Sequence, residues 1–394
     1  FLLSCCIATN VFAETRNIRV DSHNAQFEIL PGNLLLTNIR SSAGYIDNFL
    51  YSEHDKQQTS FLSVTPSVFF QTELGHNLLQ LRARSGHFKF NEFSNDDHNT
   101  FSVTSKYHYK FDQNKRLAIS GHLARHYEYR GTGFSKGRAA SFTEGNDLEV
   151  NFINVGYFYG ADDSVARAWG LVGQRNYQYL TNRPESNIFD YQGNYLRAGV
   201  DYLFSGKSYL TGELAYESLD YQYSPEQTKE LYSLLAGAKW QLSVMSKFEL
   251  LVGIEQAKLD DELFDDKRIL KWRVDYAWHP LEYSKLLFSS SRSFDESTQI
   301  GSQYKIVDRY KVNVQHDFTD FFLAVAEFGV KRQKVNFTGL MEKENYLYTG
   351  LGLHYKRNHR LTFNMKYDFS GLDSTKVDQS FDRNSISVGV TFKI

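Results

Sequence analysis

From about residue 33 to the end of the chain, apolar side chains return at every second position in segments near ten residues long. No other feature limits the fold as much. In the last nine residues Ile386, Val388, Val390, Phe392 and Ile394 alternate with small or polar side chains. Phe101, Val103, Tyr107, Tyr109 and Phe111 oppose Ser102, Thr104, Lys106, His108 and Lys110 in the same way. Leu270, Trp272, Val274, Tyr276 and Trp278 oppose Lys271, Arg273, Asp275, Ala277 and His279, and Leu361, Phe363, Met365, Tyr367 and Phe369 oppose Thr362, Asn364, Lys366, Asp368 and Ser370. Successive strand side chains point to opposite faces, so each segment offers one wall to hydrocarbon and one to water. Repeated many times, this pattern is that of an all-β transmembrane antiparallel up-and-down β-barrel.

A soluble antiparallel sheet also alternates, and composition separates the two. Aromatic residues make up 15% of the chain, with Tyr 26 and Phe 31, while mean hydropathy is −0.47. Apolar content is therefore rationed to alternate positions. No run of about 18 apolar residues follows the N-terminal segment, so a membrane-spanning helix is not predicted. Proline is scarce, at 5, as a wall of strands whose backbone groups must all pair requires.

Residues 1–13 read as the end of a secretory signal with cleavage after Ala13, although Leu2, Leu3, Ser4 and Cys5 also resemble a lipoprotein site. Both cysteines, Cys5 and Cys6, fall in this segment, so no thiol or disulfide chemistry is predicted beyond it. Residues 14–32 read as a short, irregular periplasmic lead-in, and 33–394 as a single barrel domain. Export together with a barrel predicts the outer membrane of a Gram-negative bacterium, with lipid and lipopolysaccharide as surroundings. The formal charge is −2, and nucleic acid is not an expected partner.

Strands are predicted at 33–46, 60–71, 77–92, 99–111, 116–130, 147–160, 165–180, 188–204, 208–222, 230–243, 247–259, 267–279, 283–294, 302–315, 320–334, 344–356, 360–370 and 382–394, about eighteen in all. Short connections at 72–76, 112–115, 161–164, 205–207, 244–246, 280–282, 316–319 and 357–359 alternate with longer polar ones near 47–59, 93–98, 131–146, 181–187, 223–229, 260–266, 295–301, 335–343 and 371–381. Outer-membrane barrels have short periplasmic turns and longer external loops. An even strand count places both ends on the periplasmic side and pairs the last strand with the first.

A barrel of this size encloses an aqueous lumen. The channel-lining residues predicted from the polar faces are Lys106, Lys110, Arg130, Arg197, Asp201, Glu213, Lys239, Lys271, Arg273, Asp275, Arg309, Lys311, Lys366 and Asp368, with Glu128, Glu217, Glu249 and Glu255 beside them. Ten basic residues against eight acidic ones suit neutral or mixed solutes better than a strongly ion-selective channel, and many of these charges can instead pair across strands. His122 and His126 lie about 13 Å apart on a strand, too far to share one ion. The acidic pairs Asp96 and Asp97, Asp260 and Asp261, and Asp265 and Asp266 fall in external loops, where solvated charge or divalent-cation binding are alternatives. Tyr157, Tyr159, Tyr195 and Tyr209 read either as an interfacial aromatic girdle or as stacking platforms for sugars. No catalytic constellation, cofactor site or metal site is predicted, and the chain does not read as an enzyme.

The first hairpin, with Ser42, Ala43, Gly44, Tyr45, Ile46, Asp47 and Asn48 leading through a polar loop to Ser60–Val68, resembles the opening of the family named putative β-barrel porin 2. The aromatic-rich terminal strand resembles it too. The resemblance implies an outer-membrane barrel associated with exopolysaccharide or capsule production. It implies a conduit for a secreted polysaccharide, with periplasmic export proteins as partners. A general or sugar diffusion porin, and a non-transporting structural or adhesive barrel, are the alternatives.

Overall fold

The computed structural model describes residues 27–30 (backbone only), 33–161, 164–260, 266–337 and 340–394. The proposed signal segment, and all of the lead-in except Phe27–Leu30, lie outside these residues. A short strand β1 (Phe27–Leu30) doubles back against the start of β2, so the lead-in is not wholly irregular.

Eighteen strands then follow in an all-antiparallel meander: β2 (Asn33–Ile46), β3 (Thr59–Leu74), β4 (Asn77–Phe90), β5 (His98–Lys110), β6 (Lys115–Glu128), β7 (Asn146–Tyr159), β8 (Ala166–Tyr179), β9 (Tyr191–Ser205), β10 (Ser208–Asp220), β11 (Lys229–Ser243), β12 (Ser246–Leu259), β13 (Lys267–Leu281), β14 (Ser284–Asp295), β15 (Ser302–Thr319), β16 (Phe322–Phe337), β17 (Leu340–Lys356), β18 (Leu361–Ser374) and β19 (Phe381–Lys393). Each pairs with its sequence neighbours, and β19 pairs with β2 from Ser385↔Ile46 to Lys393↔Asn38. The sheet is closed. Closure leaves no edge of unpaired amides, the condition for crossing hydrocarbon with strands.

The two-residue period sets the facing. On β5 Phe101 and Val103 are exposed, as are Leu123 on β6, Ile153 and Val155 on β7, Val252 and Ile254 on β12, and Val388 on β19. Register carries this parity around the ring: Val103 pairs with Leu123, Gly121 with Ile153 and Leu250 with Val274, all on the outer face. A closed barrel with such an apolar outer face suits hydrocarbon as its surroundings. Near the short-turn rim the outer face becomes aromatic, with Tyr157, Tyr159, Tyr202, Phe204, Trp278, Tyr355 and Phe392 all exposed. Tyr157 and Tyr159 thus belong to the girdle.

One predicted connection differs, and one strand leaves its neighbour early. The sequence predicts a loop over 335–343, but β16 runs to Phe337 and β17 begins at Leu340. Beyond the bilayer a strand needs no apolar face, so its sequence there looks like loop. On β14, pairing with β13 stops at Trp272↔Arg292 while pairing with β15 continues to Asp295↔Lys305. The upper end of β14 therefore departs from its neighbour, and the Phe294 amide donates instead to Glu255 Oε2 at 2.8 Å.

Candidate functional site: the loop-capped lumen

Thirteen of the fourteen predicted lining residues occupy inward positions of the ladder. Arg130 does not. It lies past the end of β6, where it grips the fully buried Asp96 through Nε (3.2 and 3.1 Å) and donates through Nη1 to the Phe142 carbonyl at 3.0 Å. Its parity continued that of β6, but the strand had already ended. Asp96 also accepts from Tyr127 Oη at 2.8 Å and from the Gly145 amide at 3.0 Å. It braces loops. Asp97 accepts from the Phe90 amide and Asp266 from the Leu259 amide; Asp261 and Asp265 lie outside the described residues.

The inward charges are largely neutralised in pairs. Asp201 on β9 holds Arg167 from β8 at 3.0 Å and Lys239 from β11 at 2.9 Å, and accepts from Thr211 Oγ1 at 2.8 Å. Arg273 bridges Glu213 at 2.7 Å and Glu249 at 3.1 Å, and Lys271 meets Glu255. Arg175 pairs with Glu217 at 2.7 Å, Lys311 with Glu327 at 2.9 Å, Lys366 with Asp368 at 2.8 Å, and Arg309 with Asp295. Strand pairing at the observed registers brings such partners together on one face, from the same strand (Lys366 and Asp368) to three strands apart (Arg273 and Glu213). Beneath them Leu171, Leu235 and Leu251 are buried on the same inner face. The arc from β8 to β13 is thus layered with side chains.

Several inward groups had no signal that separated them from ordinary polar positions. They include Arg40, Arg167, Arg175, Lys305, Lys331, Glu344 and Arg383, together with Tyr177, Tyr191 and Tyr346. Tyr195 and Tyr209 also face inward, with Arg167 stacked 3.8 Å from the Tyr209 ring centroid. His122 hydrogen-bonds Thr104 at 2.8 Å, and His126 lines the cavity. The outer loops bring Glu53, His54 and Asp378 together, with ligand atoms within 4.8 Å of one another; these exposed groups alone do not define a metal centre.

On the long-loop side the lumen opens into a cavity of about 1210 Å³. The 129–145 connection forms part of its roof, since Gly131, Thr132, Gly133 and Lys136 line it. Two glycines permit this path. Gly131 (φ +82°) and Gly133 (φ +55°) take left-handed backbone, and a Cβ on either would collide, with the Leu50 carbonyl and the Glu128 carboxylate respectively. Phe134 and Phe142 pack with Tyr179 and Phe189, while Phe49, Leu50, Phe90 and Tyr129 form a second cluster. The tip of the loop is latched across the lumen, where Lys136 pairs with Glu344 of β17. Glu344 accepts as well from Gln299 Nε2 at 2.6 Å and Gln333 Nε2 at 2.7 Å. Burial lowers the Lys136 ammonium below its ordinary range, and the Glu344 charge pulls it partly back.

The 296–301 connection also bends inward, with Glu296 pairing with Lys229 at 2.8 Å. Burial raises the Glu296 carboxyl, but Lys229 and Arg175 outweigh it and hold the group below its usual value. The result is a barrel whose mouth is roofed by connections tied to its own wall.

Among solved structures, the outer membrane protein opdK from Pseudomonas aeruginosa aligns with TM-score 0.49 and 10% identity, covering 91% of this chain and 99% of that one. OccAB4 from Acinetobacter baumannii aligns with TM-score 0.48 and 12% identity, covering 91% and 98%. The siderophore receptor PirA from Pseudomonas aeruginosa aligns with TM-score 0.44 and 9% identity, covering 91% and 80%. No curated protein matches the chain. The first hairpin, where the family resemblance was read, lies outside the matched part of the chain, whereas the terminal strand lies within it. Residues 230–394, from β11 to β19, match the model of the family described as Putative beta-barrel porin 2, and the chain folds as a closed, all-antiparallel β-barrel of eighteen strands.

Proposed function

We propose that this barrel is an outer-membrane conduit for saccharide, taking part in the export of an exopolysaccharide or capsular polysaccharide. One observation carries the reading: a lumen whose charges are mostly paired with one another, interleaved with inward tyrosines. A channel built for sign-selective ion flow carries a one-sided ring of charge. Paired charges offer instead many fixed donors and acceptors to hydroxyl groups, and ring faces suit sugar faces. Tyr177 and Tyr191 stand parallel on the cavity wall, with centroids 5.4 Å apart and planes within 6°.

The inward 129–145 connection favours a second reading, a diffusion porin for small sugars, because it narrows the mouth. Deleting the gene and assaying both secreted polysaccharide and uptake of small sugars separates the two. Export predicts loss of surface polymer with uptake unchanged. Normal polymer with slowed sugar entry overturns export in favour of diffusion, and no change in either overturns both.

A further inference from the structure

We propose that the saccharide taken by the upper lumen is anionic, and that Lys305, Lys331, Arg40 and Arg383 receive its negative groups. This rests on the saccharide reading and names the class of sugar.

Pairing accounts for most lumen charges but not for these four, nor for Arg197, which lies over the Tyr195 ring. All of them line the cavity, and among the described residues none has a carboxylate at ion-pair distance. Lys331 lies over the Tyr346 ring, 3.9 Å from its centroid, and is directly opposite Arg309 across the β15–β16 ladder. Like charges facing each other on one side of a sheet repel. Asp295 forms its ion pair with Arg309 and stands opposite Lys305 across the β14–β15 ladder. Lys305 stands on the same inward face, opposite Val335. Further round the wall, Arg383 lies over the Tyr51 ring at 4.9 Å, and its Nε is buried with no hydrogen-bond partner. A partly enclosed cavity with surplus cations focuses field on its interior and concentrates anions there. Successive anionic groups placed along them would relieve the Arg309–Lys331 repulsion at β16 and satisfy the stranded Arg383 donor at β19.

The space fits a chain segment rather than a single ion. Its volume of about 1210 Å³ exceeds the roughly 300–1,000 Å³ of pockets that hold a drug-sized molecule. Tyr346 supplies a ring face beside Lys331, and Tyr177 and Tyr191 line the same cavity from β8 and β9. A run of acidic sugar residues matches that alternation of charge and flat apolar surface.

The test uses the full-length barrel in planar bilayers. Reversal potentials in a salt gradient are measured first, then block of the current by oligogalacturonate, by glucose 1-phosphate and by a neutral maltooligosaccharide as long as the oligogalacturonate. The expected result is anion preference and block by oligogalacturonate at about tenfold lower concentration than by the neutral oligomer, a difference of about 1.4 kcal/mol. The Lys305→Gln, Lys331→Gln double variant should erase most of that difference. Block by glucose 1-phosphate at the lower concentration would assign the cations to phosphate-bearing sugars instead of carboxylate-bearing ones. Equal block by charged and neutral oligomers, or cation preference in the unaltered barrel, overturns the inference and leaves the saccharide reading intact. No block by any sugar overturns both. Should the double variant fail to assemble, Arg40→Gln and the selectivity of the unaltered barrel decide.

Discussion

At the scale of single residues, Glu344 organises the mouth. Its carboxylate receives Lys136 from one connection, Gln299 from another and Gln333 from the neighbouring strand. Removing one partner of a buried ion pair strands the other and costs about 3–5 kcal/mol. The Glu344→Gln variant should therefore release the 129–145 connection without unfolding the barrel. Trypsin cleavage after Lys136 and a larger single-channel conductance are the readouts; unchanged conductance with a protected loop would show that the latch lies elsewhere. None of this was legible in the sequence, because Lys136 and Glu344 are separated by 208 positions and neither breaks any local pattern. Arg130 departs from its expected place for the opposite reason: its position continues the β6 period after the strand has ended at Glu128.

At the scale of the strand, periodicity was sufficient. Segment positions, the alternation of short and long connections and the inward placement of the strand-borne charges all follow from a side-chain period of two, which no slip of register can satisfy on both faces at once. Strand ends were less legible, most of all around 335–343, where a strand outside the membrane has no apolar face to announce it. The facing can be tested at two adjacent positions. Val274 points outward beside Leu250, and Asp275 points inward. Val274→Arg places a charge in hydrocarbon at about 2–4 kcal/mol and should reduce the heat-modifiable folded form on gels. Asp275→Asn should assemble normally. Equal assembly of the two would overturn the assignment.

At the scale of the whole molecule, closure rests on β19, which pairs with β18 on one side and β2 on the other. Deleting residues 382–394 would leave two rows of backbone amides facing lipid, each unsatisfied group costing several kcal/mol. No membrane-inserted, heat-modifiable species should be recovered; a stable inserted product would mean that the remaining strands close without it.

The departure of β14 from β13 above Arg292 affects how this cylinder can deform. A hoop of unbroken hydrogen bonds widens only by tearing bonds, whereas a ring already slit at its lip flexes at the slit. Between β13 and β14 the outer lip is such a slit, spanned by a side-chain bond from Glu255 rather than by backbone rungs. Any dilation of the mouth therefore has a mechanical seam at which to begin.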